Sequence, residues 1–72
     1  MMTITTRSGS KYQFSTRDNQ VYFKKGHIEG IVLKISGLSL GEHLKVDFFP
    51  IKNNVQSDDL NFIESTTIIS IE

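Results

Sequence analysis

The stretch His43-Leu44-Lys45-Val46-Asp47-Phe48 (HLKVDF) carries an apolar residue at every second position. Successive side chains of an extended chain point to opposite faces. Leu44, Val46 and Phe48 therefore share one face, and His43, Lys45 and Asp47 share the other. A helix would scatter the same residues around its axis. The segment reads as a half-buried strand with one face on a core and one in water.

The pattern repeats on both sides of it. Residues 2–6 alternate apolar and polar, and residues 11–15 place Tyr12 and Phe14 together. Residues 20–24 put Val21 and Phe23 on one face and Tyr22 on the other. In 31–35 the inward set is expected to be Ile31, Leu33 and Ile35, and 66–71 supply a last strand. β-branched and aromatic residues dominate these bursts, with Gly, Asn and Asp between them. Arg7-Ser8-Gly9-Ser10 and Thr16-Arg17-Asp18-Asn19 read as hairpin turns. A looser link follows between Gly26 and Gly30. In the 36–42 loop, Leu38 and Leu40 are expected to tuck under the sheet. Pro50 is expected to end the fifth strand, because a proline in mid-sheet removes a ladder donor. The polar segment 52–59 reads as a loop leading into an early last strand; the other reading is a single helical turn started by Ser57, Asp58 and Asp59. No helix of ten residues and no repeat can be drawn. Residues 1–72 are one all-β domain, a small antiparallel β-sandwich or partly open barrel of about six short strands.

Composition bounds the function. A chain of 72 residues buries only about 60% of the surface its unfolded form exposes, so its stability margin is thin. Chains of this size turn to disulfides, metals or self-association. Cysteine is absent, which removes disulfides, thiolate zinc sites and thiol catalysis. The net charge is +0, from eight basic and eight acidic residues, without the basic excess of a protein that wraps duplex DNA. No apolar run approaches the ~20 residues of a membrane span. The start MMTITTRSGS lacks a signal-peptide pattern. A cytoplasmic protein with no membrane contact is expected.

The short motifs carry little chemistry. Ser8-Gly9-Ser10, between Arg7 and Lys11, has one glycine and is followed by strand formers, so it is a turn rather than a phosphate loop. His27-Ile28-Glu29 matches the H-x-E triplet of zinc deaminases but has no downstream cysteine pair. His43, with Glu42 and Asp47, would need His27 brought beside it to bind zinc. The Ser and Thr residues sit where strands and turns favour them. No catalytic residue, metal or cofactor is expected.

Two constellations point to binding. Tyr22, Phe23, Lys24, Lys25, Gly26 and His27 join strand aromatics to a basic loop, as small barrels do to stack and hold single-stranded nucleic acid. Tyr12 and Phe14 would extend that platform, with Arg17 nearby. The competing reading makes the aromatics core and the lysines edge protection. Secondly, Phe48-Phe49, and Ile68-Ile69 next to Ile71, place apolar residues on both faces of two strands, so the outer face is covered by a loop or by another chain.

Thr5-Thr6-Arg7-Ser8-Gly9-Ser10-Lys11-Tyr12 and Thr66-Thr67-Ile68-Ile69-Ser70-Ile71-Glu72 resemble segments of short proteins of bacteriophages and prophages. Those proteins open on a TT-x-SG-x-x-Y hairpin and close on a TTSPVVSIE-like strand; Ile68-Ile69 stand here where that pattern often carries a proline and valines. The resemblance implies a small cytoplasmic accessory protein that binds a host or phage macromolecule, and it supplies no catalytic residues. The expected function is non-enzymatic protein–protein contact that modulates a host factor, with self-association to a homodimer. The contact would use Phe49, Ile69 or Ile68, and the rim formed by Leu38 and Leu40. The alternative is single-stranded nucleic-acid binding through Arg17, Tyr22, Lys24 and Lys25.

Overall fold

Seven strands form along the chain: β1 (Met2–Thr6), β2 (Lys11–Arg17), β3 (Gln20–Lys25), β4 (Ile28–Ser36), β5 (His43–Lys52), β6 (Val55–Gln56) and β7 (Asn61–Ile71). The computed structural model describes residues 1–72. No helix is present that is long and apolar enough to cross a membrane. Every pairing is antiparallel. The order is β4-β3-β2-β1-β7-β5-β6, and β4 pairs with β5 as well. That last pairing decides the architecture. It joins the two ends of a six-stranded sheet into a closed barrel, and β6 is a short extra strand on β5. One sheet wraps the core, which corrects the sandwich expectation and leaves no open seam.

Closure demands local bending, and the ladder is interrupted between Val32 and Lys34, between His43 and Lys45, and between Thr5 and Thr6. At the second site the Leu44 amide donates to the Ser65 hydroxyl at 2.9 Å, and that hydroxyl donates to the Thr66 carbonyl at 2.6 Å. The buried serine thus supplies the acceptor that the irregular ladder does not.

The interior holds Ile4, Tyr12, Phe14, Phe23, Leu44, Val46, Phe48 and Ile68. Phe23 links two parts of it. Its ring lies 6.0 Å from Phe14 and meets Phe48 edge-on at 4.6 Å, an arrangement that suits aromatic quadrupoles. Burial of each such side chain contributes about 1.5–3 kcal/mol. Gly30 faces Phe23 and Pro50 across its two neighbours. A Cβ there would stand 2.5 Å from Cδ2 of Phe48 and 2.9 Å from the Phe49 carbonyl oxygen. Only a residue without a side chain lets the Phe48 ring close onto β4.

The turns follow local chemistry. Asp18 and Asn19 have φ of 53° and 64°, the doubly left-handed backbone of a two-residue I′ hairpin, which Asn and Asp tolerate. Asn53 and Asn54 repeat it with φ of 54° and 63°. The 52–59 segment is therefore a hairpin into β6 rather than one loop. The Ser57 hydroxyl accepts from the Asp59 amide at 3.0 Å, yet no helix follows. In the first turn the Gly9 amide donates to the Thr6 carbonyl and the Thr6 amide to that of Ser10. The stretch is a hairpin turn, pinned to β7 by Thr66 and Ser8.

Several strand expectations are corrected. Ile31 pairs with Tyr22 on the outer side, Val32 faces the core opposite Phe48, and Leu33 is 62% exposed. The bulge after Val32 shifts the alternation by one, so the inward residues are Val32 and Ile35. Pro50 does not end β5. Its carbonyl accepts from the Ser57 amide, and N and O of one strand residue point to the same edge. Its missing donor thus faces β6, away from the β4 ladder. Leu38 and Leu40 do not tuck under the sheet but are exposed. The last strand begins at Asn61, five residues before the Thr66 start of the alternation, so the polar segment does lead into an early last strand.

Candidate functional site

Strand register assembles a row of side chains on the outside of the barrel. Ser15 pairs with Tyr22, Tyr22 with Ile31, and Ile31 with Phe49. Phe23 and Phe48 point inward, so Tyr22 and Phe49, their neighbours in the chain, point outward. Tyr22, Ile31 and Phe49 are each half-buried. Leu33 and Phe62 stand beside the row, 62% and 59% exposed. Phe62 is opposite Asp47, one outward position from Phe49 and diagonal to it, a separation of about 7–8 Å in an antiparallel pair.

Charged pairs frame this apolar belt. Lys24 lies opposite Glu29 with 3.9 Å between Nζ and Oε1. On the other side Lys34 is opposite Asp47, and Lys45 opposite Glu64. Such exposed pairs contribute little to stability, about 0–1 kcal/mol each. They keep the belt's margins wet and set its charge pattern.

The residues expected to make protein contact do not form one patch. Phe49 belongs to the belt. Ile68 is buried at 1% exposure, opposite Thr6, and is core rather than contact surface. Ile69 is exposed, but at the other end of β5. There the Gly41 amide donates to the Ile68 carbonyl and the Ile68 amide to that of Glu42, so the Leu38 and Leu40 loop lies beside it. His43, at that end of β5, faces Thr67, and Phe49 is further along by six residues, roughly 20 Å of extended strand. Ile31, Leu33 and Phe62 are belt members that the alternation alone misplaced: a bulge hid the first two, and Phe62 fell outside the strand assignment.

The residues of the nucleic-acid alternative are partly brought together. Ser15, Arg17, Tyr22, Lys24, Glu29 and Ile51 line a shallow outer groove of about 530 Å³. The Arg17 guanidinium lies 4.7 Å from the Tyr22 ring centre, and the Tyr22 hydroxyl donates to Gln20 Oε1 at 3.0 Å. The cation thus covers one face of the ring on which a base would stack. Lys25 separates from the group. It follows Lys24 on the strand and so points the other way, its Nζ 5.5 Å from the Tyr12 ring. Tyr12 and Phe14 are core residues and extend no platform. Burial pushes the Tyr12 hydroxyl above its ordinary value.

The histidines stay apart. His43 Nδ1 is 3.4 Å from Glu64 Oε2 on the exposed surface. His27 sits in the turn before β4, at the opposite end of the β4–β5 ladder. No three His, Asp or Glu side chains gather closely enough to hold a metal. The hydroxyls of Thr6, Ser8, Ser10 and Thr66 bond to one another, a turn brace rather than an array with a base.

No family model, curated protein or solved structure matches this chain.

Proposed function

We propose that the protein is a non-enzymatic accessory module that works by protein–protein contact through the outer face of β3, β4, β5 and β7. The observation that carries this reading is the in-register row Tyr22–Ile31–Phe49 with Leu33 and Phe62 exposed beside it. The inner faces of these strands already fill the barrel, so the outer apolar residues have no folding role that requires their size. A contiguous apolar belt edged by paired charges is the composition of a contact surface: an apolar centre and a polar rim. The phage-type resemblance of both chain termini agrees with a small cytoplasmic accessory protein that modulates a host factor.

Phe49→Asp tests it. The variant is expected to keep a cooperative melting transition and to lose assembly or partner binding, read by light scattering and by binding assays against wild type. Loss of the fold itself, with wild type strictly monomeric and partnerless, would sink the reading.

The groove at Arg17, Tyr22 and Lys24 favours a second reading, single-stranded nucleic-acid binding. Anisotropy titrations of labelled single-stranded DNA and RNA separate the two. Binding that weakens steeply with salt, and that Tyr22→Ala removes, selects the groove. No binding at low salt leaves protein contact.

A further inference from the structure

We infer that the belt's partner is a second copy of this chain, in a two-fold pair whose axis runs along the Tyr22–Ile31–Phe49 row, across the strands. The inference rests on the protein-contact reading and adds the occupant and its orientation.

The charges on β4 carry it. Glu29 and Lys34 are outward residues of that strand on either side of Ile31, since Glu29 pairs with Lys24 and Lys34 with Asp47. A two-fold interface is self-complementary: if residue i meets residue j, then j meets i. An axis along the row turns each β4 end for end over its counterpart. Glu29 of each copy then faces Lys34 of the partner subunit, and the contact occurs twice. An axis along β4 instead sets Glu29 against Glu29 and Lys34 against Lys34, and facing like charges are costly. The charge pattern selects the first arrangement and disfavours the second.

The apolar content agrees. In the selected arrangement Tyr22, Ile31 and Phe49 all lie along the axis and each faces its own copy, with Leu33 nearby. A net charge of +0 sets no long-range repulsion against pairing. The six-stranded body is closed. The edges left unpaired, those of the two-residue β6 and of the start of β7, are short, so the outer face is the larger surface for self-association.

The experiment is a charge swap read by light scattering and sedimentation, with circular dichroism to verify folding. Wild type is expected to be dimeric. Glu29→Lys and Lys34→Glu, singly, are expected to weaken the dimer about tenfold, the effect of losing and then opposing two exposed ion pairs. The double variant is expected to restore it, because exchanged signs recreate both contacts. A wild-type protein that stays monomeric at millimolar concentration overturns the inference. So does a dimer that the single reversals leave unchanged, or one that the double variant fails to recover. Phe49→Asp separates the failures. A dimer lost in Phe49→Asp but blind to the charge swap refutes this orientation alone, whereas a dimer indifferent to Phe49→Asp refutes the belt as the contact face too.

Discussion

The β2–β3 hairpin and the β4–β5 pair are both antiparallel ribbons of one barrel, yet they are built on different terms. β2 and β3 run through five consecutive register pairs without interruption, from Gln13 opposite Lys24 to Arg17 opposite Gln20. Their turn is a two-residue loop, and Phe14 and Phe23 face inward as period two requires. β4 and β5 are joined by the 37–42 loop, slip at a bulge, and bring a glycine against a proline. Both ribbons join strands that follow one another in the chain; the pairing that brings distant parts of the chain together to complete the barrel is β1 with β7. Of the two ribbons, only the second must bend where its strands meet. The extra outward apolar residues of the molecule gather at that seam, where Ile31, Leu33 and Phe49 lie outside while Val32 and Phe48 lie inside.

The seam breaks most readily from within. Phe48→Ala empties the space between Phe23 and β4, and a loss of about 3–5 kcal/mol is expected in denaturant unfolding. For a small domain with a total of about 5–15 kcal/mol, that is a large fraction of its stability. Gly30→Ala is expected to cost about 1–3 kcal/mol, since the new methyl meets both the Phe48 ring and the Phe49 backbone. A variant as stable as wild type would show that the two strands can separate at no cost, and closure there would be loose.

The hairpin, by contrast, can be improved. Asn19→Gly relieves a left-handed backbone and creates the Asp-Gly pair that I′ turns favour, with an expected gain of about 0.5–1 kcal/mol. A thermal melt that does not rise would mean the turn is already held by its strands.

The smallest effect lies at alkaline pH. Burial raises the Tyr12 hydroxyl in the folded state, while in the unfolded chain it ionises near its ordinary value of about 10. Above that pH the unfolded state binds fewer protons than the folded one, so stability falls as pH rises. The contribution is complete below about pH 10 and is lost on the way to the higher folded value. Tyr12→Phe is expected to flatten this part of a stability–pH curve measured by urea titration.

Much of the fold was legible in the chain. The alternations at 11–15, 20–24 and 43–48 each mark a true strand with the inward face they indicate, because period two is a property of the backbone itself. Asp18-Asn19 was legible as a turn for the same local reason. Asn53-Asn54 carries the same chemistry, but it stood in a polar run with only two strand residues after it. The candidate site was less legible. Phe49 was marked by its buried neighbour Phe48, and Tyr22 by Phe23. Ile68 and Ile69 carry the same doublet signal, and nothing local says which of the two points inward. Burial against Thr6 decides it, and β1 lies more than sixty residues away in the chain.

The amino-acid sequence by itself determined the strand content, the hairpin turns and the absence of thiol chemistry, since each depends on residue type and on neighbours a few positions away. The tertiary structure alone decided that β1 meets β7, that a bulge at Leu33 turns two aliphatic residues outward, and that Tyr22, Ile31 and Phe49 share a row. Those facts depend on register between strands, which is set when the sheet closes and every inward side chain must fit one interior at once.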